Sequence, residues 1–400
     1  MPTAGVASVP SASSESCRLV KEIRPGKPVL SNLTFNGQQY VYQFTLPASY
    51  DWTKPTPLLF YFHGWGGSYE ECGSLCTDLA PSRGFIAVSM DGAGPEDRRS
   101  WNGAGTTAYP AGPDGPICSP STPMSYCNLY SDCNGREDRR LGECADPCHW
   151  TSCIDSVGQA LALLDKLQTD LCVDESRIWA SGCSNGGIFL YELAQDARSA
   201  GRFVGIAPLV GSPHNGFNLG PRKGGILSFV GMWGLSDTAI PPLSNLDDPT
   251  KSMDSDGWYY STAENATDLW ARENGCNGSE TDTMGTPDGL VTRVRYTWCR
   301  EGGDVVRYLF EAGHVCNLPT QHSLLLDFIS TRSQTSPKEK EPPSIYALTA
   351  TPWDISRSVV GVAIIVVLAS LCIGIRKLRR RFRPNEFELR ATPMRALSVP

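Results

Sequence analysis

The sequence predicts an α/β domain, a mostly parallel sheet with helices wound on both of its faces. Three observations predict it. Short apolar runs of strand length recur between residues 29 and 330, and stretches with helical spacing of apolar residues alternate with them. Several of the runs lead straight into Gly or Asp, as strands that end in functional loops do. At 40% hydrophobic and 19% charged residues, the chain has the material for a large core, which excludes a wholly disordered polymer.

In chain order, residues 1–28 are rich in Ser, Pro and Ala and read as a disordered leader segment. Tyr40 to Leu46 alternates and carries aromatic and β-branched residues, so it reads as a strand. Pro57 to Phe62 (PLLFYF) and Phe85 to Met90 (FIAVSM) are apolar throughout, the mark of strands buried on both faces. Ser156 to Leu167 has helical periodicity, Arg177 to Ala180 is strand-like, and Ile188 to Ala194 continues as helix. Phe203 to Val210, Ile226 to Trp233, Val291 to Trp298 and Val305 to Phe310 complete the strands. Between them, about residues 104–153 form an insertion dense in Cys, Gly and Pro, with Cys118, Cys127, Cys133, Cys144, Cys148 and Cys153. A disulfide-stapled loop over the mouth of a site is the expected form. No internal repeat is evident.

Beyond residue 330 the composition changes twice. Thr331 to Arg357 is Ser/Thr/Pro/Lys-rich, suited to a stalk. Ser358 to Ile375 then runs for eighteen residues without a charge, about 27 Å as a helix and close to the thickness of a bilayer core. RKLRRRFR follows at once, with six basic residues in eight. This predicts one transmembrane helix over 358–375 and a basic cytoplasmic tail over 376–400. The net charge of -7 divides accordingly: the tail carries +6, which leaves -13 on residues 1–375. So acidic a body argues against nucleic acid as a partner.

Fourteen of the fifteen cysteines precede the span, and Cys372 lies within it. That density favours an oxidising compartment. The sequons at Asn32, Asn265 and Asn277 point to the same extracellular or lumenal side. No secretory signal peptide is visible in the first 30 residues, which leads us to expect a start upstream of Met1.

The chemistry centres on Gly182-Cys183-Ser184-Asn185-Gly186. The strand-like SRIWASG precedes it and the helical GGIFLYELAQD follows. A strand-to-helix turn this tight needs small residues at Gly182 and Gly186, and it projects Ser184 from the carboxyl edge of the sheet. A serine hydroxyl needs a base. Of His63, His149, His214, His314 and His322, two lie late enough for the order Ser, acid, His. His314 sits in a loop just past strand VVRYLF and takes the base role, whereas His322 opens a helix-like stretch and reads as a surface residue. Asp237, after the run that ends at Trp233, is the acid that would orient the imidazole. Asp247 and Asp248 read as solvated loop carboxylates. Donors for an oxyanion are expected from the backbone N–H of Trp65, in the glycine-rich His63-Gly64-Trp65-Gly66-Gly67-Ser68 turn, and of Asn185.

HGWGGS, DLCVDESRIWASGCSNGG, IAPLVGS, GLSDTAIPP and EAGHVCNLP, in this order and spacing, resemble the polyhydroxybutyrate depolymerase and feruloyl esterase family of α/β-hydrolases. The resemblance runs from about Leu33 to Phe328. It implies an α/β-hydrolase fold and secreted carboxylic ester hydrolysis through an acyl-serine, on polyester, feruloyl or acetyl-polysaccharide esters. Ser184 matches the family's nucleophile, Asp237 its acid and His314 its base, while Trp65 and Asn185 match the oxyanion loops. Cys276 in ENGC and Cys299 in YTWC resemble a cysteine pair common in the family. The family often has Trp then Pro shortly after the catalytic His, where this chain has Val315-Cys316-Asn317, and the insertion is a second departure. No cofactor and no metal are expected. Zinc on Cys144, Cys148, His149 and Cys153, or calcium on Asp132, Asn134 and Asp138, is disfavoured by oxidation of thiols and an incomplete ligand set. Trp101, Trp150, Trp258, Tyr259 and Tyr260 are loop aromatics that could stack on a sugar or phenolic acid, or line the domain. The competing functional readings are a serine peptidase of the same fold and a catalytically silent adhesion or receptor ectodomain.

Overall fold

The structure, a computed structural model, describes Cys17 and residues 23–106, 111–119, 154–221 and 225–333. Ten strands form one sheet: β1 (Pro28–Phe35), β2 (Gln38–Thr45), β3 (Thr56–Phe62), β4 (Ile86–Met90), β5 (Val173–Cys183), β6 (Gly205–Leu209), β7 (Ser228–Gly234), β8 (Gly278–Thr286), β9 (Gly289–Thr297) and β10 (Val305–Phe310). Their spatial order is β1-β2-β4-β3-β5-β6-β7-β10-β9-β8. The six central strands, β4 to β10 in that order, are mutually parallel. An antiparallel pair closes each edge, β1 and β2 on one side, β9 and β8 on the other. This is an α/β-hydrolase-like fold, and parallel strands buried on both faces explain why PLLFYF and FIAVSM carry no polar alternation.

Two apolar clusters confirm the two faces. Leu58, Phe60 and Phe62 of β3 join the cluster under helices α1 (Ser156–Asp170), α2 (Asn185–Gln195) and α3 (Ala263–Glu273). Leu59 and Tyr61 point the other way, into the cluster that holds Leu325, Leu326, Phe328 and Ile329 of α4 (Pro319–Ile329). Each helix start has a local cause. Asp155 caps α1 by accepting the Gly158 N–H, Thr262 caps α3 by accepting that of Asn265, and Pro319 opens α4.

All eight predicted strands occur, with ends shifted by a few residues. The sequence reading lacked β1 and β8, the two outermost strands, because β8 is exposed along most of its length and has no apolar face to show. Of the leader segment, Cys17 is covalently tied to Cys172 and the Gly26 N–H donates to Leu46 O, so ordered structure begins before residue 28. Further disulfides join Cys72 to Cys76, Cys183 to Cys316 and Cys276 to Cys299. Among the described residues no helix is long and apolar enough to cross a membrane. The predicted span over 358–375, most of the stalk, the tail, Trp150 and the zinc and calcium candidates lie outside those residues.

Of the sequon asparagines, Asn32 and Asn277 are exposed. Asn265 lies half-buried in the first turn of α3, and Thr267 of its triplet is fully buried, with its hydroxyl donating to Ala263 O. Three of the loop aromatics are core residues: Trp101, Trp258 and Tyr260 are at most 1% exposed and cannot stack on a ligand. Trp101, just before the insertion, packs edge-on to Phe62 and stacks on Phe189, and of the insertion's cysteines Cys127, Cys133, Cys144, Cys148 and Cys153 lie outside the described residues.

Candidate active site

Ser184 stands between β5 and α2 at φ 51°, ψ -116°, a conformation disfavoured for any residue with a Cβ. Its surroundings impose it. The Ser184 N–H donates to Leu209 O at 2.9 Å, and its carbonyl accepts the Ile188 N–H at 2.9 Å. The turn is tight enough that a methyl at Gly186 would stand 2.2 Å from Phe62 O, and one at Gly182 would stand 2.7 Å from the Gly186 backbone. Both small residues are therefore steric requirements.

The Ser184 hydroxyl donates to His314 Nε2 at 2.8 Å, and His314 Nδ1 donates to Asp237 Oδ2 at 2.7 Å. Asp237 Oδ1 accepts the N–H groups of Ala239 and Ile240 at 2.8 and 3.0 Å, and its side chain is fully buried. The three residues follow β5, β7 and β10, so the parallel sheet delivers all of them to one edge. Gly234 lets the last two loops touch: a methyl there would stand 2.1 Å from Gly313 O. Backbone bonds from Leu235 to Phe310 and from Ser236 to Ala312 join the same loops.

The Cys183–Cys316 disulfide links the residue before Ser184 to the one two beyond His314. It occupies the position where this chain departs from the family's Trp-Pro. His322 is buried, not at the surface as its place at the head of a helix suggested. Its Nε2 donates to Cys316 O at 3.1 Å and Gln321 Nε2 to Val315 O at 3.0 Å, so α4 holds the His314 loop from below. Burial pushes the His322 imidazole below its ordinary value.

The glycine-rich turn after β3 lies against the nucleophile, since a methyl at Gly64 would meet Ser184 Cβ at 3.4 Å. Trp65 and Asn185, the expected oxyanion donors, are the next residues along from Gly64 and Ser184. A buried network holds this arrangement. His63 Nε2 accepts the Gly92 N–H at 2.8 Å, which leaves Nδ1 to donate to Gly64 O at 2.6 Å. Burial lowers the His63 pKa to about 4, so the ring stays neutral and keeps that tautomer. Trp101 Nε1 donates to His63 O at 3.0 Å, and the Asn185 side chain grips the Trp101 backbone through both its oxygen and its nitrogen, at 2.8 and 3.0 Å. The sequence reading missed His63, Trp101 and the Asn185 side chain as positioning groups. Only the HG doublet at the end of a strand signalled any of them.

Fold and site together define an esterase-like α/β-hydrolase. The curated relatives agree. Feruloyl esterase D of Neurospora crassa is 22% identical over 303 residues, which cover 76% of this chain and 82% of that protein. The probable feruloyl esterase C of Aspergillus terreus is 22% identical over 290 residues, covering 72% and 81%. These bear out the resemblance to feruloyl esterases drawn from the motifs. No protein-family model matches the chain. Among solved structures, an acetyl xylan esterase from Aspergillus awamori aligns over 75% of this chain and 99% of its own, at a TM-score of 0.45 and 11% identity.

Proposed function

We propose that this protein is a serine carboxylic ester hydrolase acting through an acyl-serine intermediate, anchored in a membrane with its catalytic domain on the extracellular or lumenal side. The unbroken hydrogen-bonded chain from Ser184 through His314 to Asp237 carries the proposal. His314 Nε2 takes the Ser184 proton as Oγ attacks the ester carbonyl, and Asp237 holds the ring in the required tautomer and stabilises the imidazolium. The Trp65 and Asn185 N–H groups receive the oxyanion. His314 then protonates the departing alcohol, and a water activated by the same ring releases the acid. The disulfides support an oxidising compartment, and the apolar segment with its basic flank supports the anchor. Feruloyl, acetyl-polysaccharide and polyester esters are the substrate classes to try, feruloyl first, since both curated relatives carry that name.

The test is hydrolysis of p-nitrophenyl acetate and butyrate by the full chain made through a secretory route, beside Ser184→Ala. A leader truncated at residue 28 would remove Cys17 and its bridge to Cys172, so it should be kept. Loss of activity in the variant by at least about 10⁴-fold supports the reading. A folded wild type that is inert and takes no fluorophosphonate at Ser184 refutes it and leaves the silent ectodomain.

A further inference from the structure

The HGWGGS turn encloses a carboxylate that the acyl-transfer steps leave without a task. Glu71 lies at the surface on a helical turn, Tyr69–Cys72. Its carboxylate turns inward: both oxygens accept the Gly64 N–H, at 2.9 and 3.1 Å, and Oε1 accepts the Tyr61 hydroxyl at 3.3 Å. The turn is shaped to admit it, because a methyl at Gly67 would stand 2.4 Å from Oε2. A methyl at Gly64 would lie 3.6 Å from the same oxygen and 3.4 Å from Ser184 Cβ, so carboxylate and nucleophile share Gly64 as a neighbour.

Gly64 is thereby gripped at both ends. Glu71 holds its N–H, while His63 Nδ1 and the Gly67 N–H hold its carbonyl, at 2.6 and 3.0 Å. The bonds to the Gly64 carbonyl set the attitude of the Gly64–Trp65 peptide and the direction of the Trp65 N–H, while the Glu71 bond fixes the His63–Gly64 peptide on which it hinges. The groups that face the carboxylate are Tyr61 from β3 and the turn's own amide, and burial raises its pKa above the ordinary carboxylate value. Glu70, beside it on the same turn, accepts the Tyr69 hydroxyl instead.

We propose that Glu71 is a positioning residue of the reaction: it fixes the turn that presents the Trp65 N–H to the oxyanion. The proposal rests on the esterase reading. A carboxylate that only braced the fold would matter to stability alone, whereas this role shows in kcat. Glu71→Gln keeps an acceptor for Gly64. Glu71→Ala removes it.

The experiment compares the full chain and both variants on p-nitrophenyl butyrate from pH 5 to 9, with kcat and KM resolved and melting temperatures recorded. In Glu71→Gln the plateau kcat stays within about threefold, because the amide oxygen still accepts the Gly64 N–H. In Glu71→Ala the plateau kcat falls at least about tenfold with KM within about twofold, the pattern of a donor lost only to the transition state. A plateau kcat within twofold of wild type in Glu71→Ala overturns the proposal, and so does a fall in Glu71→Gln as deep as that in Glu71→Ala. An inert wild type overturns the esterase reading and this inference with it, while an active wild type with unchanged variants overturns this inference alone.

Discussion

Replacing Gly186 by alanine sets two effects of opposite sign against each other. Gly186 lies in the first turn of α2 with a backbone that alanine can adopt, since it is not among the residues at positive φ. Helix propensity alone would make the change stabilising by about 1 kcal/mol. Sterics say otherwise. The added methyl would stand 2.2 Å from Phe62 O and 2.6 Å from His63 O, where real contacts do not fall below 3.0 Å. Both obstacles are backbone atoms with little freedom. Phe62 pairs with Gly182 across β3 and β5, and His63 O accepts Trp101 Nε1. One side must retreat by nearly 1 Å, and either choice displaces Ser184 relative to the Gly64–Trp65 turn. Misplacement on that scale costs about 100-fold in rate, and overpacking of this kind costs about 1–3 kcal/mol. We therefore expect Gly186→Ala to lose about 100-fold in kcat/KM on p-nitrophenyl butyrate and to melt below wild type. Gly285→Ala is the control, because a methyl there meets nothing within 4 Å. A Gly186→Ala protein as active as wild type and more heat-stable would refute the packing argument for the turn.

Asp237→Asn should fold normally and lose about 10⁴-fold in kcat, because an amide facing His314 Nδ1 favours the wrong tautomer; a loss under tenfold would remove Asp237 from the mechanism. Replacing both Cys183 and Cys316 by alanine opens a link between residues 133 apart and should cost about 2–5 kcal/mol in urea unfolding, with kcat falling alongside as the His314 loop loosens. An unchanged kcat would show that α4 alone holds the loop. Acid should destabilise the fold through His63 and His214, both fully buried and both lowered by burial to about 4. Their folded pKa lies below the unfolded one, so the unfolded chain binds the extra protons; the stability they contribute is full above about pH 6.5 and lost as pH falls toward 4, about 3 kcal/mol each. Asp254, raised by burial to about 6, and Glu71, Asp91 and Glu192, raised by the same cause, work in the opposite direction, while His322, lowered by burial, and Asp155 and Asp248, held low by their hydrogen bonds, add to the loss in acid. Unfolding free energies at pH 7 and pH 4.5 give the check, and a value that rises on acidification contradicts it.

The parts of the fold legible in the sequence are those where burial is two-sided and local. Strands such as PLLFYF carry their own signature because every residue is buried, and the Ser184 turn announces itself through the small residues that its sterics demand. β8 has no such signature. It is held by pairing with β9 along nine residues, and pairing leaves no trace in a segment whose side chains face water. Trp101 illustrates the converse failure. It lies in a Gly/Asn-rich stretch that reads as loop, yet it is fully buried between Phe62 and Phe189 because the site's backbone needs a fixed partner. His322 failed for the same reason: its bond to the Cys316 carbonyl is tertiary, and helix position alone pointed outward. For the triad the order Ser, acid, His gave the candidates, whereas the 2.8 and 2.7 Å contacts are properties of three loops that only the assembled sheet brings to one edge.

Those contacts span 130 and 77 residues of chain, and neither would hold on side-chain hydrogen bonds alone, each worth about 1–3 kcal/mol net even when charged. The strained Ser184 backbone opposes them by about 1–3 kcal/mol. What tips the balance is that every loop in the site is fixed twice over. The Ser184 turn is locked by glycine-to-carbonyl packing and by the disulfide at Cys183. The His314 loop is locked by that same disulfide and by Gln321 and His322 of α4. The Gly64 turn is locked by His63 on one side and Glu71 on the other. In each pair one constraint belongs to the sheet or a helix and the other reaches across from a second loop. Removing one member should therefore cost rate before it costs fold, whereas removing both from the same loop should unfold the site, a non-additivity that a double-mutant cycle on Glu71 and His63 would measure.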